Sequence, residues 1–170
     1  MSVQIQLIDL YMGSVERIGA PEFLYALMKE REPEINISHS ELPSWDKHLT
    51  FIRSRPYRCW YLIEQQIDTP EDARAAGGYI APVWCGYVSA TDRNEIGIVL
   101  AKAHRGRGIG PAAVQALIAQ HEPLSAEPGK RSGHWLANIA PSNEHSKHVF
   151  QKLGFAKIQE TYARPGGGDR

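Results

Sequence analysis

The sequence predicts a single α/β domain in which helices pack on the faces of a mixed sheet. Three observations lead to this prediction. The chain has 170 residues, 42% of them hydrophobic, which is enough for one sizeable core. Apolar runs with strand character alternate with segments of helical periodicity. A glycine-rich turn joins one of these runs directly to a helix, an arrangement typical of mixed α/β sheets.

Two helices are predicted after a strand-like start at Val3 to Ile8. The first helix opens at Pro21, where the missing N–H costs nothing, and its apolar face consists of Phe23, Leu24, Leu27 and Met28. The second helix is capped by Ser44 and ends before Pro56. It places three apolar side chains on one side, Trp45, Leu49 and Ile52.

The middle of the chain is rich in strand patterns. Two strands are predicted at Tyr57 to Gln66 and Gly78 to Ala90, and Thr91 to Asn94 is typical of a hairpin turn. The run Glu95 to Leu100 is apolar and β-branched, as in a buried strand. It leads through the glycine turn into a helix from Pro111 to about Gln120.

The last part of the chain is predicted to add two strands and one helix. Trp135 to Ile139 forms a strand, and Ser142 or Asn143 caps a helix that ends at Gly154. A final strand runs from Phe155 to about Tyr162. The glycine-rich residues 165–170 are expected to form a flexible tail, so the domain is expected to span residues 1–164.

Composition argues against several functions. Nineteen basic residues balance nineteen acidic ones, so no overall field attracts nucleic acid or an anionic membrane. No signal peptide or transmembrane-length apolar run is visible, and we expect a cytoplasmic protein. Cys59 and Cys85 lie in strand-like runs without a CxxC motif, so they are expected to be reduced and buried.

The glycine turn is Arg105-Gly106-Arg107-Gly108-Ile109-Gly110. Because it follows a buried strand and opens a helix, its backbone N–H groups point outward at the positive end of the helix dipole. Glycines let a pyrophosphate approach the backbone closely. By itself the turn predicts only an anion site, and a strand-to-helix turn with glycines for steric reasons is the alternative.

A second motif follows downstream. Asn143, Ser146, Gly154 and Phe155 fit the pattern Asn-x-x-Ser-(seven residues)-Gly-Phe. Together, the turn and this motif resemble the GNAT superfamily of acetyltransferases, from about Gly86 to Phe155. The resemblance implies a mostly antiparallel central sheet, flanked by about four helices, whose central strands splay apart around the pantetheine arm of acetyl-CoA. The branch that acetylates ribosomal-protein N-termini, polyamines and other small amines looks most similar.

The resemblance assigns residues to acetyl-CoA. It implies that the pantetheine and the thioester contact the backbone groups of Ile98, Val99 and Leu100. A backbone N–H of this strand is suited to stabilise an oxyanion. The pyrophosphate is held by the turn, Arg105, Gly106, Arg107, Gly108, Ile109 and Gly110, although Arg107 is equally typical of a solvated surface residue. Asn143 hydrogen-bonds the CoA arm or caps its helix. Ser146 plays a similar role or packs on its helix face.

Catalytic groups are less clearly marked. Phe150 stands where many family members have the tyrosine that protonates the leaving thiolate, and core packing beside Val149 and Leu153 accounts for it. Glu95 is the candidate general base, but it lies one residue off the family register, and an ordinary strand-end carboxylate is the alternative. His145 and His148 share a helix side without a third ligand, so no metal is expected.

The resemblance implies direct transfer from acetyl-CoA to a primary amine of a small molecule in a ternary complex. A peptide N-terminus or lysine is an alternative acceptor, and a non-catalytic acyl-CoA sensor is another possible function. The family acceptor groove corresponds to about Pro21 to Arg55 and the region near Tyr162. Several aromatic and acidic residues are suited to bind a cationic or hydroxylated amine, Trp45, Tyr57, Trp60, Glu41, Asp46 and Glu64. Packing in the core is the alternative role for these side chains. A homodimer is a reasonable expectation.

Overall fold

The computed structural model describes residues 3–12, 19–31, 41–65, 83–125 and 133–161. Its centre is a four-stranded antiparallel sheet in the order β1-β2-β3-β4. The strands are β1 Ile5–Asp9, β2 Cys59–Gln65, β3 Val83–Ala90 and β4 Ile96–Leu100. The helices are α1 Ala20–Lys29, α2 Trp45–Arg53, α3 Ile109–Gln120 and α4 Glu144–Lys152, and a 3₁₀ turn, Lys102–His104, precedes α3. The predicted fold class is confirmed.

Helices cover both faces of the sheet. On one face, called the α3 face, buried residues of the strands and of α3 form a core, for example Ile63, Val88, Ile96, Val114 and Leu117. Phe150 of α4 belongs to the same core. On the other face, called the α1–α2 face, a second core joins the first two helices to the strands through Leu24, Leu27, Ile52, Trp60, Leu62 and Tyr87. The free, buried Cys59 and Cys85 confirm the prediction for the two thiols.

A bulge interrupts the pairing of β2 with β3. Ile63 pairs with Gly86, whereas the next residue, Glu64, pairs with Trp84, so Cys85 is the extra residue. An extra residue resets the alternation of side chains along a strand. Cys85 therefore joins the α3-face core, while Trp84 packs against the α1–α2 face.

The predicted strand Trp135 to Ile139 is wrong as a strand. A single parallel bridge joins Leu136 to Glu95, through bonds from Leu136 N–H to the Asn94 carbonyl and from Ile96 N–H to the Leu136 carbonyl, both 2.8 Å. In the described part of the chain no further pairing joins this segment to β4. Its apolar side chains pack on the α3-face core without a ladder, which explains why their pattern is typical of a strand.

The predicted last strand is also wrong as far as the structure describes it. Residues 155–161 have no regular secondary structure, and Tyr162 lies outside the described residues, as do residues 78–82 of the predicted third strand and the tail, 165–170. The Phe155 N–H bonds to the Phe150 carbonyl at 3.0 Å, and the two rings contact at 5.0 Å. Packing on α4 thus takes the place of strand pairing.

All four predicted helices are present, and their ends differ from the predicted ones by two residues or fewer. α3 begins at Ile109 instead of Pro111. α2 is capped by Ser44 as predicted, but its buried residues are His48 and Ile52. Trp45 is instead 36% exposed, although its ring contacts the buried His48 ring at 5.5 Å.

Candidate functional site

The backbone of β4 offers its outer edge to a ligand. The Ala101 N–H donates to the Cys85 carbonyl at 2.9 Å and the Thr91 N–H to the Glu95 carbonyl at 3.0 Å. In an antiparallel ladder, residues that bond to the neighbouring strand alternate with residues that do not. Val99 therefore bonds to its partner Tyr87, whereas the backbone groups of the residues on either side of Val99 point away from β3.

The outer edge of β4 is open beyond the bridge at Leu136. The Ile96 N–H is used by that bridge, and the Leu100 carbonyl accepts a bond from Arg105 Nε at 3.2 Å. The Ile98 N–H and carbonyl and the Leu100 N–H meet no backbone partner among the described residues. An extended amide-bearing ligand is able to pair with these groups as an added strand does.

The glycine turn begins directly after the 3₁₀ turn that follows β4. Gly106 and Gly108 have positive φ values, 74° and 78°, which favour glycine. A side chain added at Gly106 meets nothing within 4 Å, so the space beside the turn is open to a ligand. The predicted glycine requirement is therefore conformational at both positions.

The first turn of α3 presents unused donors. The Ala112 N–H bonds to the Gly108 carbonyl at 3.2 Å, so the N–H groups of Ile109 and Gly110 lie before the first intrahelical bond. Gly110 is buried, and a Cβ there contacts the Leu100 and Ile98 side chains at 3.6 and 3.7 Å. The turn and the open edge of β4 thus form one continuous surface, which fits a phosphate joined to an extended arm.

Two arginines add positive charge to this surface. Arg105 and Arg107 are both exposed. Arg105 is attached to β4 through its bond to Leu100, whereas the side chain of Arg107 has no hydrogen bond or ion pair within the described residues. A guanidinium pairs well with phosphate, so the fixed Arg105 is the better placed of the two.

The downstream motif caps α4. Asn143 Oδ1 accepts a hydrogen bond from the Ser146 N–H at 3.0 Å, which confirms the N-cap alternative. This bond uses the side-chain oxygen of Asn143, and among the described residues no acceptor meets its amide hydrogens. Ser146 is half-buried, and His145 and His148 are exposed. The described residues contain no cluster of three His, Cys, Asp or Glu side chains that suits a metal.

Glu95 lies at the start of β4. Its Oε2 accepts a bond from Thr91 Oγ1 at 3.3 Å, and its N–H donates to the same hydroxyl at 3.2 Å. Ile96 packs on the α3 face, so the alternation of the strand directs Glu95 and the exposed Gly97 to the α1–α2 face. The carboxylate therefore lies on the face that α1 and α2 border.

Phe150 belongs to the core, as the sequence predicts. It is 5% exposed and contacts the Phe155 ring edge-on. Leu153 packs against the same core. This side chain has no acidic proton, and its position is explained by packing.

The predicted aromatic and acidic residues do not form one group. Trp60 is 3% exposed and contacts the Tyr57 ring at 5.1 Å, while Trp45 packs instead on Tyr25 at 5.3 Å. The acidic residues are also dispersed, with Glu41 and Asp46 exposed and Glu64 half-buried.

Sequence reasoning missed two features near β4. Arg31, just after α1, donates from Nη2 to the Tyr87 hydroxyl at 2.6 Å. Gly86 lies so close to β4 that an added Cβ falls 2.0 Å from the Val99 carbonyl oxygen. An isolated glycine within a strand pattern signals such a close approach, whereas no sequence signal indicated the arginine.

Comparisons with known proteins show the family and the fold of this chain. A family model described as an acetyltransferase (GNAT) domain matches residues 20–156. A domain from Methanocaldococcus jannaschii has a similar structure, with a TM-score of 0.65 and 20% identity over 94% of this chain and 93% of that one. The spermidine/spermine N-acetyltransferase SpeG from Vibrio cholerae gives a TM-score of 0.57 and 16% identity over 92% and 81%.

Another similar structure was solved with a ligand. The protein yncA from Salmonella typhimurium, solved with its cofactor acetyl-CoA, gives a TM-score of 0.52 and 16% identity over 99% of this chain and 100% of that one. A search of curated protein sequences finds no match. In the part of the chain that the structure describes, no helix has the length and hydropathy needed to cross a membrane.

Proposed function

The chain belongs to the GNAT acetyltransferase family, whose members are acetyl-CoA-dependent enzymes, and we propose that it acetylates the primary amine of a small molecule. The observation that carries this proposal is the continuity of the open β4 edge with the glycine turn. This continuous surface supports binding of a ligand in which a diphosphate is attached to an extended arm with amide groups. CoA has both of these parts.

We propose that three groups of residues hold acetyl-CoA. The free backbone groups of Ile98 and Leu100 pair with the pantetheine arm, and Val99 contributes its half-buried side chain. The diphosphate is bound by the turn, Arg105, Gly106, Arg107, Gly108, Ile109 and Gly110. Asn143 and Ser146 contact the arm from α4, Asn143 through the amide hydrogens that its cap bond leaves free.

Bound acetyl-CoA supplies an acetyl thioester. The reaction forms a C–N bond and breaks the C–S bond, and the proton that the amine loses ends on the CoA thiol. The Ile98 N–H is suited to stabilise negative charge on the thioester oxygen. Glu95 remains our candidate for the base, acting through water on the amine. Phe150 supplies no acid, and because a thiol pKa is about 8.5, water suffices to protonate the leaving group.

The acceptor is proposed to bind on the α1–α2 face, beside Gly97 and Glu95. SpeG from Vibrio cholerae is a spermidine/spermine N-acetyltransferase, which supports a small amine and the branch that includes ribosomal-protein and small-amine acetyltransferases. We further propose a cytoplasmic enzyme with one domain at residues 1–164, and a homodimer, the commonest closed oligomer.

Two measurements test this function. Acetyl-CoA is expected to raise the thermal stability of the chain more than pyrophosphate does, because it binds the native state along both the turn and the β4 edge. A panel of small primary amines and peptides is then incubated with acetyl-CoA, and release of the free CoA thiol is measured for each compound. Thiol release with peptides but not with small amines contradicts the proposed acceptor. Binding of acetyl-CoA without release by any amine favours an acyl-CoA sensor.

A further inference from the structure

Four side chains on the α1–α2 face carry hydrogen-bond donors and form a group that we call the donor cluster. Its members are Arg31, Tyr57, Trp60 and Tyr87. Arg31 Nη2 donates to the Tyr87 hydroxyl at 2.6 Å. The Trp60 ring contacts the Tyr57 ring at 5.1 Å and the Tyr87 ring at 5.7 Å. The cluster therefore joins one guanidinium, two phenols and one indole.

An unpaired donor lies inside the cluster. Trp60 is 3% exposed, and its Nε1 has no hydrogen-bond partner within the described residues. Leaving a buried donor unpaired destabilises a fold. Such an atom in a native fold calls for an acceptor atom, and none of the described residues supplies one.

The positive charge of Arg31 is not neutralised by a described carboxylate. The described ion pairs lie elsewhere, in α4 and near residue 160. The adjacent Glu30 accepts the Lys102 N–H at 2.7 Å, so its carboxylate is used at the end of β4. The guanidinium thus keeps donors and charge for a partner outside the described residues.

The two tyrosines contribute protonated hydroxyls. Burial raises the pKa of Tyr57 to about 12, although Arg31 acts in the opposite direction. Burial also raises the pKa of Tyr87, again against the effect of Arg31. Both phenols therefore keep their protons at neutral pH, and the Tyr87 hydroxyl, which accepts from Arg31, still has a proton to donate.

The donor cluster borders the part of β4 that we assign to the acetyl donor. Tyr87 pairs with Val99, and Trp60 pairs with Ser89, whose partner on β4 is Gly97. Gly97 is exposed, and Phe51, whose ring contacts Trp60, is 41% exposed. An acceptor beside the exposed Gly97 on this face therefore lies close to the cluster.

We propose that the acceptor amine carries a carboxylate and that the donor cluster binds this carboxylate, so the substrate belongs to the amino acid class. The inference rests on the proposed acetyl transfer to a small amine. One guanidinium and one carboxylate balance in charge and pair through two parallel bonds, whereas a phosphate ester carries about two negative charges. A polyamine brings only positive charge, which Arg31 repels.

Matched amines test the charge requirement. Thiol release is measured with leucine, phenylalanine and methionine, and each is compared with its carboxamide and with its decarboxylated amine. Spermidine and phosphoethanolamine are assayed in the same way. At least one amino acid is expected to exceed its two matched amines about tenfold or more in kcat/KM. Equal or faster turnover of decarboxylated amines, spermidine or phosphoethanolamine overturns this inference but leaves acetyl transfer to small amines intact.

Variants test the residues. Arg31→Gln is expected to raise KM for the preferred amino acid about tenfold or more, with little change in kcat or in turnover of the decarboxylated amine. Trp60→Phe keeps the ring and removes the N–H, and a smaller rise in KM is expected. Arg93→Gln, which changes an exposed arginine in the β3–β4 turn, serves as the matched control.

A binding measurement decides the inference without turnover. Calorimetric titration of the three amino acids is carried out in the presence of CoA, with wild type, Arg31→Gln and Arg93→Gln. Binding that Arg31→Gln weakens and Arg93→Gln does not supports the carboxylate site. No binding to wild type, or equal affinity in Arg31→Gln, overturns it. Absence of thiol release from every amine contradicts the proposed function independently.

Discussion

Arg105 Nε donates a hydrogen bond to the Leu100 carbonyl oxygen at 3.2 Å, which connects the glycine turn to the last residue of β4. This bond uses one outward-facing carbonyl of β4 and leaves the Ile98 backbone groups for a ligand. It also fixes the guanidinium of Arg105 on the turn that leads into α3. One side chain therefore links the two halves of the proposed acetyl-CoA site.

Replacing Arg105 is expected to weaken acetyl-CoA binding more than replacing Arg107. Arg105→Ala removes a fixed charge–phosphate bond, which is worth about 1.5–3 kcal/mol, or roughly 10- to 150-fold in affinity. Arg107→Ala removes an exposed charge worth about 1 kcal/mol or less. Calorimetric titration of both variants checks the order, and an equal loss of affinity contradicts it.

A valine at Gly108 is expected to impair the turn itself. The residue caps α3 with φ at +78°, where a β-branched side chain is strained by about 1–2 kcal/mol. Relief of this strain rotates the neighbouring N–H groups, so acetyl-CoA affinity falls strongly. Gly154→Val, just after α4 with φ at +87°, is the control, because it is expected to cost stability with little change in affinity.

An alanine at Gly86 is expected to destabilise the fold. The new methyl group falls 2.0 Å from the Val99 carbonyl oxygen and 2.9 Å from the Leu100 Cα, so the backbone of β4 has to move. Overpacking of this kind costs about 1–3 kcal/mol or more. Urea unfolding measures the loss, and Gly106→Ala, where the added group meets nothing within 4 Å, provides a contrast free of steric overlap.

The sequence predicted elements well wherever local chemistry determines them. Ser44 and Asn143 cap their helices because a side-chain oxygen reaches an unused N–H. Asn94 closes the predicted hairpin turn with a bond to the Thr91 carbonyl at 3.0 Å. The glycine turn follows from the same logic, since Gly106 and Gly108 adopt positive φ values.

The sequence failed where long-range pairing decides the structure. Trp135 to Ile139 has a strand pattern, but whether it pairs depends on how far β4 and this segment diverge, and only Leu136 makes a bridge. Tyr57 and Trp60 were predicted as acceptor candidates, but the bond from Arg31 to Tyr87 was missed for the same reason. Arg31 and Tyr87 are 56 residues apart, and no local pattern indicates that they meet.

Stability is expected to fall as the pH decreases below about 6.5, the usual histidine pKa. Burial lowers the pKa of His48, although its bond to the Pro21 carbonyl and nearby Glu22 oppose this. The unfolded chain then binds more protons than the native state between the lowered pKa and 6.5, so the free energy of unfolding rises with pH in that window. Above 6.5 the contribution of His48 is complete.

His48→Gln tests this assignment because glutamine keeps a donor for Pro21 but does not titrate. Urea unfolding at several pH values between 5 and 7 is expected to give a smaller slope for the variant than for wild type. His145→Gln changes an exposed histidine and serves as the control. Burial also lowers the pKa of His121, so part of the slope is expected to remain. An unchanged slope in His48→Gln contradicts the assignment.

A valine at Gly97 is expected to separate acceptor binding from donor binding. Gly97 is exposed, and its backbone pairs with Ser89 on β3 instead of facing the outer edge of β4. A side chain there projects over the α1–α2 face, where a Cβ already lies 3.1 Å from Ser89 Oγ. The amine is then displaced, and kcat/KM for the acceptor falls by about ten- to a hundredfold, while acetyl-CoA affinity stays near that of wild type. Calorimetry with acetyl-CoA and thiol-release kinetics measure the two effects separately. A parallel loss of acetyl-CoA affinity places the added side chain in the donor site and contradicts the assignment of the acceptor to this face.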